Sequence, residues 1–171
     1  MTTSPTFDAA GLGAHYEAEL RWTDRLVAEL VGALPPGAAL AVTADHGQVE
    51  VGTRARPIER DLLAGVRMLS GEARFRWFHA RPGAEGDLRD ALARRYGDQA
   101  WVRTIDELDA EGWYGGPLDP VARDRLGDVA LVPWEPVGYL DPDDRKEARL
   151  VCRHGSLTPD EVLVPLLALA R

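Results

Sequence analysis

The 171-residue chain has a single cysteine, Cys152, which excludes an internal disulfide and a multi-thiolate metal site within these residues. It has no long hydrophobic run. The longest, Val162 to Ala170, is interrupted by Pro165 and is far too short to cross a bilayer. No early stretch is apolar enough for a signal peptide, so a soluble, cytoplasmic protein is expected. Positive charge is not in excess: 20 Lys and Arg face 28 Asp and Glu, a formal net charge of −8. That balance argues against gripping nucleic acid or an anionic membrane as the main task. It leaves room for a small phosphorylated substrate, because bound cations reverse the local field. There is no internal repeat and no low-complexity tract. With 45% apolar residues, the length fits one domain with a real core.

Residues 14–34 repeat apolar side chains at helical spacing (Tyr16, Leu20, Leu26, Val27, Leu30, Val31, Leu34), and Pro35-Pro36-Gly37 ends the helix. Ala38 to Ala44 is a continuous small apolar run bounded by turns, which predicts a strand buried on both faces of a parallel sheet. Pro57 to Leu69 reads as a loop with a short helix. Ala73 to His79 alternates, placing Phe75, Trp77 and His79 inward and the arginines outward. Gly86 to Tyr96 is an amphipathic helix, and Thr104-Ile105-Asp106-Glu107 has capping-box spacing. Trp113 to Pro117 is a turn and Asp128 to Val132 a strand. Asp141 to Glu147 is a charged surface loop. Ala148 to Arg153 reads as a last short strand, and Thr158-Pro159-Asp160-Glu161 opens a C-terminal helix. The expected class is α/β: a mainly parallel sheet flanked by helices, one partial domain over 1–171 with a small α+β insertion at about 57–135.

Two short apolar strands end in a His-Gly pair, Asp45-His46-Gly47 and His154-Gly155. In open α/β sheets ligands bind outside the carboxyl ends of strands, where both pairs fall. Glycine lets the backbone turn sharply and approach a ligand closely. A carboxylate beside imidazoles suits zinc, which takes oxygen and nitrogen ligands. The bland alternative is an N-cap turn, with Asp45 accepting backbone N–H bonds and His46 exposed. His15 at the start of a helix reads as a surface or capping residue, and His79 as a satisfied core or edge histidine. Cys152 reads as packing. Arg74, Arg76, Arg81 and Arg153, interspersed with acids, read as a solvated mixed-charge surface.

The wording around both pairs adds to this. Val42-Thr43-Ala44-Asp45-His46-Gly47-Gln48-Val49 resembles the Thr-(Ser/Ala)-Asp-His-Gly segment of the alkaline phosphatase superfamily, in its nucleotide pyrophosphatase/phosphodiesterase branch. Arg153-His154-Gly155-Ser156-Leu157-Thr158-Pro159-Asp160-Glu161 is similar to that family's C-terminal His-Gly-(Ser)-x-(Thr)-Pro-x-Glu segment. Gly11-Leu12-Gly13 and the helix holding Tyr16, Asp24 and Leu26 look like the stretch before its Asp-His-Gly strand. The resemblance implies an alkaline-phosphatase-like fold and a site of two zinc ions, or another divalent metal, clamping a phosphoryl group. It further implies that Asp45 and His46 bind the ion nearer a Thr or Ser nucleophile, that His154 binds the second ion, and that Gly47 and Gly155 are structural.

The family's nucleophile and first Asp ligand lie upstream of the matched region. The positions of its Asp-x-x-x-His pair, counted back from Gly11, fall on Ser4 and Asp8. The expectation is therefore the C-terminal portion of a metal-dependent phosphodiesterase or nucleotide pyrophosphatase. It would act on a small phosphate ester, diester or nucleotide, be inactive alone, and be completed by the missing N-terminal half or by self-association. No nucleic-acid or membrane partner is expected. The alternative is a non-catalytic binding or assembly module that keeps the fold segment. A third reading is a standalone metal-binding protein using Asp45, His46 and His154.

Overall fold

A computed structural model describes residues 11–144 and 146–170. Helix α1 (Ala14–Ala33) runs until Leu34 turns extended ahead of the Pro-Pro-Gly stop. β1 (Ala39–Thr43) follows, and then β2 (Val49–Glu50) beyond the Asp45-His46-Gly47 turn. After a 3-10 turn come β3 (Ala55–Pro57), a second 3-10 turn, β4 (Val66–Glu72) and β5 (Phe75–Ala80). Next are α2 (Glu85–Tyr96), β6 (Ala100–Thr104), α3 (Ile105–Ala110), α4 (Pro120–Arg123), β7 (Val129–Pro133) and β8 (Gly138–Leu140). The chain closes with β9 (Cys152–Arg153), the single turn α5 (Pro159–Val162) and β10 (Leu166–Ala170). The architecture is mixed α/β. β3 and β8 pair in parallel, while β1–β10 and β2–β9 pair antiparallel, as does the four-stranded sheet β4-β5-β7-β6.

The core lies on the two faces of that four-stranded sheet. On one face Phe78, Val129, Leu131 and Val102 pack with Leu88, Leu92 and Tyr96 of α2. On the other, Trp77, Ala130 and Val132 pack with Leu108 of α3, rimmed by Trp101 and Trp113. Each such large side chain removed from water contributes about 1.5–3 kcal/mol before entropy is counted. This double cover explains why Val129–Pro133 is apolar at successive positions: every one of its residues is buried. The capping box of α3 is formed as expected, with Thr104 Oγ1 accepting from Glu107 N–H and the Glu107 carboxylate accepting from Thr104 N–H.

Several expectations are corrected. The Ala38–Ala44 run does form β1, but it is not buried on both faces. Leu40 and Val42 are half-buried, Ala39, Ala41 and Thr43 are exposed, and its neighbour β10 is antiparallel. The run after Thr158 is helical for one turn only, because Pro165 cannot continue it and the following Leu-Leu-Ala-Leu-Ala pairs with β1. The strand expected at Ala148 to Arg153 shrinks to Cys152–Arg153, preceded by a 3-10 turn at Glu147–Arg149. The Pro57 to Leu69 stretch contains the start of β4, which forms a hairpin with β5 through Ala73 and Arg74.

One part of the chain is apolar without being covered. No residue of α1 is buried, and Trp22 is 67% exposed. Leu20, Leu26 and Leu30 on the same helix are exposed as well, as are Leu166, Leu167 and Leu169 of β10. Among the described residues, β1 and β10 pair only with each other. No helix among them is long and apolar enough to cross a membrane.

Candidate functional site

The two His-Gly turns meet because β2 and β9 lie side by side. Their antiparallel register places Val49 opposite Arg153 and Glu50 opposite Cys152. The residues just before Val49 and just after Arg153 are therefore brought to one end of the ribbon. The imidazoles of His46 and His154 stack there, with ring centroids 3.6 Å apart and planes 15° from parallel.

Gly47 could not be another residue without movement, since a Cβ there would sit 2.0 Å from the Asp160 carbonyl oxygen. Its N–H donates to the Glu161 main-chain oxygen at 2.8 Å, so the first turn is pressed against α5. Gly155 has φ +115°, in the region that favours glycine. Both glycines are thus set by the backbone.

His46 Nδ1 lies 2.7 Å from the Gly47 carbonyl oxygen. A carbonyl only accepts, so Nδ1 carries the proton and the neutral ring keeps Nε2 for an electrophile. Asp45 Oδ1 is 3.8 Å from that Nε2, and it also accepts the His46 N–H at 3.1 Å. The Asp45 side chain is largely exposed. Its own backbone N–H, then the charge that His46 carries when protonated, hold its carboxyl below the usual carboxylate range. Two ligands each about 2.0–2.2 Å from one ion sit no more than about 4.4 Å apart, so Asp45 and His46 fit one divalent ion. Imidazole and carboxylate are the donor types zinc accepts. Among the described residues no group of three or more His, Cys, Asp or Glu side chains converges to hold an ion. Of the three predicted ligands, Asp45 and His46 come within reach of one ion, while His154 is brought to the same place by stacking on His46. Asp8 and Ser4 lie outside the described residues.

The most buried charges near the site are a pair that local sequence patterning does not reveal. Arg74 is 0% exposed and Glu161 2%. The guanidinium grips the carboxylate with two prongs, Nε to Oε1 at 3.0 Å and Nη2 to Oε2 at 2.5 Å. Arg74 Nη1 also donates to the Glu135 and Val137 carbonyls. The Glu161 carboxylate accepts in addition from the Ser156 N–H at 3.0 Å and the Thr158 hydroxyl at 2.5 Å. Burial alone would raise its pKa. The Arg74, Thr158 and Ser156 hydrogen bonds outweigh burial and hold the carboxyl below the usual range.

The solvated-surface reading of Arg74, Arg76 and Arg153 is therefore overturned; only Arg81 of the four is exposed. Arg76 lies on the core face opposite Leu131. It is neutralised by Glu147 and donates to the Gly71 and Tyr139 carbonyls. Arg153 donates to the Glu147 carbonyl. The acceptors of Arg74 and Arg76 come mostly from chain segments far away in sequence, which strand alternation alone cannot see. The one available signal was the spacing from Thr158 to Glu161, read as a helix cap. Here that glutamate turns inward to Arg74 instead of capping the turn.

The remaining candidates behave as ordinary structure. His79 is nearly buried with Nε2 2.8 Å from the Ser70 hydroxyl, a satisfied core histidine as expected. His15 is exposed on the first turn of α1, and Cys152 is buried and reduced. Glu50, next along β2, accepts the Leu12 N–H at 3.1 Å, tying the segment before α1 to the strand that follows the His46 turn.

No family model matches the sequence, and no curated protein matches it. Solved structures do. Murine ectonucleotide pyrophosphatase/phosphodiesterase 5 is similar over 92% of this chain and 40% of its own, with TM-score 0.64 and 19% identity. An inactive variant of the murine protein in complex with AMP is similar over 77% of this chain and 33% of its own, with TM-score 0.59 and 22% identity. Phosphonoacetate hydrolase from Sinorhizobium meliloti 1021, in complex with phosphonoacetate, is similar over 85% of this chain and 38% of its own, with TM-score 0.57 and 25% identity. The chain thus spans about 40% of the length of the solved structures it resembles.

Proposed function

We propose that this chain, whose fold is similar to part of the fold of those solved structures, is the C-terminal portion of a metal-dependent phosphodiesterase or nucleotide-pyrophosphatase-type hydrolase of the alkaline phosphatase superfamily. The observation that carries this reading is the stack of His46 on His154, two imidazoles brought together from distant turns beside the Asp45 carboxylate. Asp45 and His46 would hold one divalent ion, zinc first among them, and His154 a second. Bound there, such ions neutralise phosphoryl oxygens and lower the pKa of an attacking hydroxyl.

The chain's own residues orient these donors. The Gly47 carbonyl oxygen accepts a hydrogen bond from the His46 Nδ1–H and so fixes its tautomer. The His46 N–H holds the Asp45 carboxylate beside the ring. The nucleophile and the remaining ligands come from outside these residues. The uncovered apolar side of α1, β1 and β10 is where the rest of the fold would pack. The substrate is a small phosphate ester, diester or nucleotide, a reading supported by the AMP complex of the murine neighbour.

A non-catalytic module derived from the same fold is the second reading. It is favoured by the lack of a closed metal cluster among the described residues. Calorimetric titration with zinc separates the two. Binding that weakens about 10-fold or more in His46→Ala and Asp45→Ala supports the hydrolase reading. A chain that binds no zinc supports the module.

A further inference from the structure

Glu161 touches both histidine turns at once. Its main-chain oxygen accepts from Gly47, the residue after His46. Its carboxylate accepts from Ser156, two residues after His154. Arg74, in the turn between β4 and β5, holds that carboxylate with both prongs of its guanidinium and is itself anchored on the Glu135 and Val137 carbonyls. Ser156 is further fixed by its hydroxyl donating to the Pro133 carbonyl at the end of β7. We propose that Glu161 is a positioning residue that holds the His46 and His154 turns in register, with Arg74 transmitting the rigidity of the four-stranded sheet to them.

The physical reason is economy of degrees of freedom. The β2–β9 ribbon is two residues long on each side and cannot fix the turns at its end unaided. A buried bidentate pair has one geometry rather than a range, because both partners are desolvated and all prongs are engaged. The turns that carry the histidines inherit that single geometry. The contact at Gly47 works from the opposite side, since any side chain there would push the Asp160–Glu161 backbone away. The consequence for metal affinity rests on the hydrolase reading, whereas the positioning itself does not.

The test follows the imidazole resonances of the four histidines by NMR in the whole chain, with the amide spectrum of residues 66–133 as the check on folding. In Glu161→Ala the His46 and His154 ring signals are expected to lose their mutual ring-current shift and move together towards that of exposed His15, while His15 and His79 stay in place. Glu161→Gln keeps one acceptor for Ser156 and is expected to move them less. Gly47→Ala, which leaves Arg74 and Glu161 intact, is expected to move them as Glu161→Ala does. If Glu161→Ala does not fold, Glu161→Gln and Gly47→Ala carry the test. Unmoved His46 and His154 signals, movement of only one of them, or equal movement of all four overturns the proposal. Zinc added to the same samples should perturb His46 and His154, with affinity about 10–100-fold weaker in Glu161→Ala. Zinc that leaves both rings of the unaltered chain unperturbed counts against the hydrolase reading and leaves the positioning role to the ring shifts.

Discussion

Glu161 and Arg74 form a two-pronged ion pair with both side chains out of contact with water, at the point where the four-stranded sheet meets the histidine turns. A buried pair is costly to break from one side, because the survivor is left charged and unpaired. Arg74→Ala is therefore expected to destabilise the chain by about 3–5 kcal/mol in denaturant unfolding. Arg81→Ala, at an exposed position, should stay within about 0.5 kcal/mol. Equal effects at the two positions would contradict the placement of Arg74.

The same carboxylate makes stability depend on acid. Its folded pKa lies below its ordinary 4.5, because hydrogen bonds to Arg74, Thr158 and Ser156 outweigh burial. A group lowered in this way contributes stability that is present above its unfolded pKa and is lost as pH falls through the folded one. Stability should therefore decline more steeply below about pH 4.5 in the unaltered chain than in Glu161→Gln. Thermal melts from pH 7 to pH 3 check this, and parallel curves would contradict it.

Gly47→Ala brings a methyl group to 2.0 Å from the Asp160 oxygen, so the backbone must give way. The expected cost is about 1–3 kcal/mol in urea unfolding, the range for overpacking. Gly83→Ala is no control, because its φ is +78°. Gly86→Ala, with nothing near its Cβ in the first turn of α2, should be neutral or stabilising.

The uncovered side of α1 and β10 predicts association. Sedimentation of the 171-residue chain is expected to show size rising with concentration, through the open edges of β1 and β10 and the apolar faces of Trp22 and Leu166. Trp22→Glu with Leu166→Lys should shift it to monomer while changing unfolding free energy by no more than about 0.5 kcal/mol per site. A monomer at every concentration would contradict this.

Hydrolysis of a chromogenic phosphodiester by this chain with added zinc should be undetectable, because the proposed site draws its nucleophile from elsewhere. Turnover that disappears in His46→Ala would instead establish the standalone metal-site reading.

Much of this molecule was legible from local signals. The periodicity of residues 14–34, the Thr104/Glu107 capping box and the run at Val129 each depend on neighbours within one element, and each stands where expected. The His46 and His154 turns were legible as strand ends followed by glycine. Their stacking required the β2–β9 pairing, which joins residues from the two ends of the chain. Arg76 misled for the reason Arg74 did. An alternating arginine is outward only if the facing surface is water, and here that surface holds the Tyr139 carbonyl and the Glu147 carboxylate, both from far along the chain. Arg153 is buried against the nearer Glu147 carbonyl. The C-terminal leucines misled in the other direction. A helix cap at Thr158 predicted continuation, but Pro165 and the open edge of β1 made a strand the better solution.

The most direct test of the central claim is anomalous diffraction at the zinc edge from crystals of this chain grown with zinc. The account predicts an anomalous peak about 2.0–2.2 Å from His46 Nε2 and in reach of Asp45 Oδ1, with His154 still stacked on His46. A well-ordered His46 turn with no peak beside it, or zinc bound only at other residues, would contradict it.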